Sequence, residues 1–480
     1  MTGQDERMSQ NSTSFVLNGN PVSLEGLDHN TTLLNFIRAT GLTGTKEGCA
    51  EGDCGACTVA LLTPNSSGKP EYQAVNSCLM LAGMAVGLEV WTAEGIGQPE
   101  TLHAVQTAMA SAGGSQCGYC TPGFIMSLFA QNYAGNLEFD EAALVGNLCR
   151  CTGYRPIREA AHALPKPSQN DAFFERIKTS SVSKSAFGWN GFHRPETLAE
   201  VLHLLETLPN ARVIAGGTDM ALEITTAFKR FENLISLEGI SELQAIVQTE
   251  SHLEIGAGVP LSRLETELRG QVPLFDELWI WFASRQIRNR ATLGGNLGTA
   301  SPIGDAPVVL LALEAELVLV SRNEERIVPL SSYFVGYRKT LLRTFELIKT
   351  IRIPIGNLGT IDGVGARRVS PLQAMYKIAK RGHDDISTVM AAFHLELENG
   401  IISKARLGFG GVAATPVRAL ETEKMLIGQI WNRTTLEKAK KVLSLEFKPI
   451  SDFRASASYR SRIIPNLLEK FWLENAEVNA

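Results

Sequence analysis

The sequence predicts an α+β protein of several domains, and three observations carry that expectation. With 480 residues, 44% hydrophobic and 20% charged, the chain has apolar material for about three packed domains at roughly 150 residues each. All eight cysteines fall within the first 151 residues and none in the rest, so one end is specialised. The hydrophobic periodicity changes along the chain, from β-rich to helical to mixed and finally to antiparallel β with closing helices.

Residues 14 to 95 read as a small β-rich domain. SFVLNGNPVSL is two strands about an Asn18-Gly19 turn, the strongest short-range hairpin signal. TTLLNFIRATGL follows as a helix, with Leu33, Leu34, Phe36 and Ile37 on one side and Gly41 at its end. CTVALL and GLEVWTA read as strands, and the loop from Gly44 to Gly55 carries three cysteines. Residues 96 to 165 read as helical: TLHAVQTAMAS and GFIMSLFAQNYAG repeat apolar residues at three- and four-residue spacing, and Pro122 sits where a helix can start. Residues 166 to 188 are polar with poor periodicity, which predicts a linker. Residues 189 to 365 alternate strands, helices and glycine turns, and residues 370 to 480 predict an antiparallel sheet closed by helices.

The net charge of −5 and pI near 6.0 supply no electrostatic case for nucleic acid or a membrane surface. No run reaches the ~18 apolar residues of a spanning helix; Pro307 to Val320 is interrupted by Glu314 and Glu316. The start, MTGQDERMSQNSTS, is polar and acidic, unlike a secretory or organelle leader. A cytoplasmic, reducing compartment is therefore expected, where thiols serve metals or catalysis more often than disulfides.

The cysteines form two quartets. Cys49, Cys54, Cys57 and Cys78 have the spacing C-x4-C-x2-C with a distal fourth, the start of a plant-type [2Fe–2S] ligand set. Gly48, Gly52 and Gly55 supply room for backbone to close around bridging sulfides, with amides to hydrogen-bond them. Zinc prefers C-x2-C knuckles and fits this spacing poorly. The second quartet is Cys117, Cys120, Cys149 and Cys151, a C-x2-C followed by C-x-C. Taken alone it is compatible with zinc. Its position at predicted helix ends, with Gly118 and Gly153 alongside, and the plant-type site upstream favour a second cluster; a disulfide across the single-residue gap of Cys149 and Cys151 would be sterically unfavourable.

QCGYCTPGF followed by GNLCRCTGYRPI resembles the second [2Fe–2S] domain of the molybdenum hydroxylases, the xanthine dehydrogenase and aldehyde oxidase family. The resemblance covers both quartets in order. It implies a β-grasp ferredoxin domain, a four-helix [2Fe–2S] domain, a vanillyl-alcohol-oxidase-type FAD domain and an α+β C-terminal domain. It also implies that Gln116 contacts a pterin held by a partner.

VIAGGTDMAL and ATLGGNLGTASPIGDAP are glycine-rich, but neither is the G-x-G-x-x-G of a dinucleotide fold. Each alone is explained by ordinary turns; together they supply backbone amides able to cradle a pyrophosphate, with a helix start near Asp305. The resemblance assigns Val213, Ile214, Ala215, Gly216, Gly217, Thr218, Asp219 and Met220 in the first loop, and Thr292, Leu293, Gly294, Gly295 and Asn296 in the second, to the FAD pyrophosphate and ribose. It places Phe282, Asp305 and Ile348 at the adenine–ribose half or beside the flavin, Lys377 at the flavin, and Asp384 on a loop that tunes access of NAD. Taken alone, Lys377 and Asp384 read as solvated charges. Gln286, Arg288 and Arg290 read as a surface stripe with no assigned role. The eight histidines show no metal-type spacing, and no G-x-S-x-G hydrolase elbow occurs.

Two clusters and a flavin form an electron-transfer line, because clusters carry single electrons and a flavin can pass a hydride to nicotinamide. The resemblance implies electrons arising from hydroxylation of hypoxanthine or xanthine at a molybdopterin–molybdenum site. That site would lie on a separate large subunit in an α2β2 heterotetramer, as in the family's bacterial two-subunit members, with NAD as acceptor. No room for a molybdopterin domain is expected on this chain. The alternatives are a molybdenum hydroxylase for an aldehyde or N-heterocycle, and a non-enzymatic iron–sulfur carrier.

Overall fold

The computed structural model describes residues 13–135, 139–168, 170–208, 210–358 and 371–475. The expected ends of the FAD domain at 365 and of the C-terminal domain at 480, the latter's start at 370, and most of the polar N-terminal stretch lie outside the described residues. The chain divides into two compact units. One holds the residues up to Ser241 with Pro260–Ser262 and Ser284–Ala291; the other holds Glu242–Val259, Arg263–Ala283 and the chain from Thr292 on.

In the first unit, β1 (Ser14–Leu17) and β2 (Asn20–Ser23) pair antiparallel with Leu17 opposite Asn20. Asn18 and Gly19 both have positive φ, 50° and 82°, the conformation a two-residue hairpin turn requires. With β3 (Thr58–Pro64), β4 (Pro70–Asn76) and β5 (Glu89–Trp91) they form a sheet of order β2-β1-β5-β3-β4, in which β1 and β5 run parallel. The helix Leu33–Ala39 starts where Thr32 accepts the Asn35 amide, and it buries Leu33, Leu34, Phe36 and Ile37, the face read from the sequence. This is the β-grasp arrangement.

Three α-helices follow, Ala104–Ser111, Thr121–Asn132 and Arg155–His162, with a single 3-10 turn at Glu141–Leu144. Pro122 lies in the first turn of the second helix, where its missing N–H costs nothing. The segment read as a linker contains a helix, Ala172–Thr179, capped by Asp171. Its Phe173 stands edge-on to Trp91 at 4.9 Å and to Phe129 at 5.0 Å, and Arg176 pairs with Glu89 at 2.9 Å. Eight residues are too few for periodicity to show, so packing rather than propensity makes this helix. The strands β6 (Phe187–Trp189), β7 (Phe192–Arg194), β8 (Arg212–Ile214) and β9 (Leu234–Ser236) form a second sheet of order β6-β7-β9-β8. One apolar core joins it to the β-grasp sheet: Phe187, Phe192 and Leu234 bury together with Phe15, Met84 and Val90.

The second unit has a sheet of order β10-β11-β16-β12-β13, made from β10 (Ile246–Gln248), β11 (His252–Gly256), β12 (Glu316–Val320), β13 (Glu325–Pro329) and β16 (Leu347–Pro354). A short hairpin joins β14 (Phe334–Gly336) to β15 (Lys339–Thr340). The C-terminal part is an antiparallel sheet, β17 (Leu372–Ile378), β18 (Val389–Glu398), β19 (Ile401–Gly410) and β20 (Val417–Arg418). Helices Leu420–Leu426, Arg433–Glu446 and Ala457–Glu474 close over it around Phe393, Phe409, Trp431 and Phe471. The greasy run from Pro307 splits into the helix Asp305–Ala312 and strand β12. Among the described residues no helix is long and apolar enough to cross a membrane.

Candidate iron–sulfur and flavin sites

The loop between the Leu33–Ala39 helix and β3 presents Cys49, Cys54 and Cys57, and Cys78 follows β4. It is held from outside: Arg38 donates to Thr45 O at 2.9 Å, the Gly44 amide to Glu94 Oε1 at 2.7 Å, and Asn76 Nδ2 to Gly52 O at 2.8 Å. Side-chain space is denied within it. A Cβ on Gly48 would lie 2.6 Å from Cys54 Sγ, and Gly55 has φ +65° with a Cβ position 2.2 Å from Gly146 O. Only glycine fits at either position.

The four thiols fall into two pairs. Cys57 and Cys78 are buried with their sulfurs 3.3 Å apart. Cys49 and Cys54 are half-buried and within hydrogen-bonding reach of each other. The Cys54 thiol holds Cys49 down at about 5, helped by backbone amides, while Cys54 itself is pushed up. Cys78 likewise lowers Cys57 and is itself raised. The amides of Glu51 and Cys54 both donate to Cys49 Sγ at 3.4 Å. Among the described residues no three His, Cys, Asp or Glu side chains are placed to hold one metal ion. Thiols in twos, with amides aimed at sulfur, suit a two-iron cluster in which each iron takes two protein ligands, and suit a single tetrahedral zinc poorly.

The second quartet repeats the pairing. Cys117 and Cys151 are exposed and within reach of one another; Cys120 is half-buried beside buried Cys149. Cys120 stands at the start of the Thr121–Asn132 helix, where the free amides favour a thiolate. Burial nonetheless pushes its thiol up to about 12, with Cys149 adding to the rise. Thr152 donates to Cys149 Sγ through its amide at 3.4 Å and its hydroxyl at 3.1 Å. Gln116 is exposed next to Cys117.

Of the first glycine loop, Val213 and Ile214 end strand β8, Ala215 to Asp219 turn, and Met220 opens the helix Met220–Thr225. Gly216 and Gly217 are buried; a Cβ on Gly216 would meet Arg290 O at 1.7 Å, and Gly217, at φ +82°, lies against Leu79 O. Thr218 and Met220 are half-buried and Asp219 is exposed. Leu79, Cys57 and Cys78 share one apolar cluster with Ala221, just past this loop.

In the second unit, Thr292 is the N-cap of the helix Leu293–Thr299, its hydroxyl accepting the Gly295 amide at 3.0 Å. The second glycine stretch is thus a helix start rather than an open loop, a pattern signalled by a threonine three residues before the glycine it caps. Gly294 packs on Ala257, Gly295 is exposed, and Asn296 Oδ1 is buried without a hydrogen-bond partner. An unsatisfied buried acceptor beside a helix start fits a ligand carrying donors or a ribose hydroxyl. Phe282 ends the helix Pro273–Trp281, and Ile348 is buried in β16 opposite Leu319.

Lys377 is not a solvated charge. Its side chain is sealed, with Nζ 2.9 Å from Asp305 Oδ2 and 3.1 Å from Trp281 O, while Ser387 donates to the other Asp305 oxygen at 2.5 Å. Asp384 is half-buried at φ +56° beside His383, whose ring stacks on Trp281 at 5.1 Å.

The surface-stripe reading of Gln286, Arg288 and Arg290 is overturned, since all three are buried. Arg290 pairs with Glu238 at 2.7 Å, and Lys184 approaches the same carboxylate at 3.4 Å. Burial would raise Glu238; these cations hold it lowered. Polar side chains at every second position look solvated in a sequence, and only the fold reveals their burial.

Four family models match along the chain. A 2Fe-2S iron-sulfur cluster binding domain covers residues 15–83, a [2Fe-2S] binding domain 92–162, an FAD binding domain in molybdopterin dehydrogenase 185–356, and a CO dehydrogenase flavoprotein C-terminal domain 374–475. Xanthine dehydrogenase of Emericella nidulans is 34% identical across 90% of this chain and 36% of that protein, and xanthine dehydrogenase/oxidase of Rattus norvegicus is 31% identical across 97% and 39%. The Cu,Mo-CO dehydrogenase structure has a TM-score of 0.54 at 30% identity, covering 61% of this chain and 99% of that one. The chain belongs to the molybdenum hydroxylase family. It is the family's iron–sulfur and FAD electron-transfer part, and it spans little more than a third of the xanthine dehydrogenases it matches. Quinoline 2-oxidoreductase from Pseudomonas putida 86, also similar at TM-score 0.53 and 27% identity, aligns over 61% of this molybdenum hydroxylase chain and 98% of its own.

Proposed function

We propose that this chain carries electrons for a xanthine dehydrogenase: from a molybdenum site on a separate partner chain, through the Cys117/Cys120/Cys149/Cys151 cluster, the Cys49/Cys54/Cys57/Cys78 cluster and FAD, to NAD. The observation that supports it best is the ordered burial of the four thiol pairs. The second site ends outward on exposed Cys117 and Cys151, and the first ends inward on Cys57 and Cys78, packed with Ala221 beside the first glycine loop. An exposed pair suits receipt of electrons from another chain, and a buried pair suits delivery within this one.

The clusters supply one-electron storage and the flavin supplies hydride transfer when bound. The chain's own residues do the rest. Val213 to Met220 and Thr292 to Asn296 hold the FAD pyrophosphate and ribose. Phe282, Asp305, Ile348 and Lys377 hold or flank the rest of the cofactor, Asp384 bounds the acceptor side, and Gln116 faces the pterin of the partner. The match of 90–97% of this chain to 36–39% of the xanthine dehydrogenases, at 31–34% identity, supports hypoxanthine and xanthine as substrates; an α2β2 assembly in the cytoplasm completes the reading. Co-expression with a molybdenum-binding partner chain of the same family tests this. Urate and NADH formed together from xanthine are the expected result; oxidation of an aldehyde or N-heterocycle instead would overturn it. The likeness to quinoline 2-oxidoreductase supports that second reading.

A further inference from the structure

The first glycine loop is backed by a buried ion pair. Where β8 ends, the Leu237 amide donates to Ile214 O at 2.9 Å, so Glu238 follows directly from the point at which the loop leaves the sheet. Glu238 Oε1 lies 2.7 Å from Arg290 Nη1, and the two side chains are only 9% and 5% exposed. Lys184 stands 3.4 Å from the same oxygen. Against a well-packed apolar replacement such a pair adds little stability. What a guanidinium on a carboxylate does supply is a fixed direction, through a planar fork that a flexible apolar side chain lacks.

Arg290 meets the loop twice. The Cβ position of Gly216 falls 1.7 Å from the Arg290 carbonyl oxygen, so backbone rests on backbone there. Through its side chain, Arg290 Nη2 lies 3.7 Å from Met84 Sδ, and that sulfur is 3.5 Å from the Cβ position of Gly217. The neighbouring backbone is anchored as well. The Arg290 and Ala291 amides donate to Ile287 O at 3.0 and 2.7 Å, and the Leu261 amide donates to Ala291 O at 2.9 Å. The pair with Glu238 completes this anchorage, because Glu238 lies just past β9, the strand paired with the one that carries the loop.

We propose that Arg290 is a positioning residue for FAD: its pair with Glu238 holds the 290–291 backbone against Gly216 and thereby sets the shape of the loop from Val213 to Met220 that receives the pyrophosphate. This rests on the assignment of that loop to FAD. Arg290 makes no contact with the cofactor in this scheme, since its charge is engaged by Glu238. Breaking the pair leaves both glycines unchanged and loosens the carbonyl wall on which Gly216 rests.

The test uses the full chain loaded with iron and freed of flavin, titrated with FAD and, separately, with riboflavin, which has no phosphates. Wild type is compared with Arg290→Met, with Glu238→Gln, and with the double variant, in which neither charge is stranded. Iron content and the urea midpoint report folding, and quenching of flavin fluorescence reports binding. The expected result is iron at about 4 per chain in at least the double variant, FAD affinity weakened by about tenfold or more, and riboflavin affinity unchanged. Wild-type FAD affinity in an iron-complete Arg290→Met or double variant would overturn the assignment. Equal weakening of FAD and riboflavin would also overturn it, as would loss of iron from all three variants, because either makes the pair a folding feature. Wild-type protein that binds FAD no more tightly than riboflavin would instead sink the assignment of the loop to the pyrophosphate.

Discussion

The Lys377 ammonium lies 2.9 Å from the Asp305 carboxylate, and both side chains are almost completely shielded from water. The two residues come from different layers, Lys377 from strand β17 and Asp305 from the first turn of the helix Asp305–Ala312. Ser387 supplies a further donor to the carboxylate. Such a pair contributes little net stability against a well-packed apolar replacement, but removing one partner strands the other charge. Lys377→Met should therefore destabilise the chain by about 3–5 kcal/mol, read from urea denaturation. Adding Asp305→Asn should recover much of that loss; a double variant as unstable as the sum of the singles would show that the two residues do not act as a pair.

The thiol pairing predicts modular loss of iron. Cys57→Ser should remove the first cluster and Cys117→Ser the second, each lowering iron from about 4 to about 2 per chain while leaving the other cluster's spectrum in place. Cys57 is buried and Cys117 exposed, so Cys57→Ser should also lower the thermal midpoint, and Cys117→Ser should leave it nearly unchanged. Iron retained in full by either variant would contradict a four-thiolate site.

How much of this was legible follows from where the information lies. Cluster ligands are close in sequence because a loop must wrap a small object, so the C-x4-C-x2-C spacing and its glycines stand out. The Asn18-Gly19 hairpin was legible for the same reason: its two positive-φ residues are adjacent. The hydrogen bond between Asn147 and Gln286 was not, since the two residues lie 139 positions apart and neither residue type is unusual in a loop. The helix Ala172–Thr179 was hidden because its stability comes from Phe173 against Trp91 and Phe129, contacts that no local pattern announces. Buried Arg290 was misread because its partner, Glu238, lies on another stretch of the same unit.

Glu314 should impose an acid limit on the second unit. Burial opposes its ionisation, but hydrogen bonds from Lys404 and Arg406 overcome that and hold it down at about 2. Lys404 Nζ is 2.8 Å from Oε2, and Arg406 bonds Oε1. A carboxylate depressed in the folded state adds stability above its ordinary value of 4.5 and loses it as pH falls toward the folded value. The contribution is roughly 3 kcal/mol near neutrality, with about 2 kcal/mol gone near pH 3. Glu314→Gln should flatten that part of the pH profile in urea titrations. A wild-type and variant difference that does not shrink between pH 6 and pH 3 would contradict the linkage.

Two glycines separate a space requirement from general backbone freedom. Gly216 sits in the first glycine loop, where an added Cβ would fall 1.7 Å from Arg290 O and 2.9 Å from Ala291 N. Both obstacles are backbone, so neither can rotate away. Gly298 lies in the helix Leu293–Thr299 with nothing within 4 Å of its Cβ position. Gly216→Ala should therefore force the loop from the 290–291 backbone, cost about 1–3 kcal/mol or more, and release FAD on gel filtration. Gly298→Ala should be neutral or stabilising by about 0.5–1 kcal/mol, since alanine is the better helix former, and should keep its flavin. Flavin absorbance per chain after gel filtration, measured beside the urea midpoint, distinguishes the two. Full flavin retention by Gly216→Ala would show that this loop does not need its close approach to hold the cofactor.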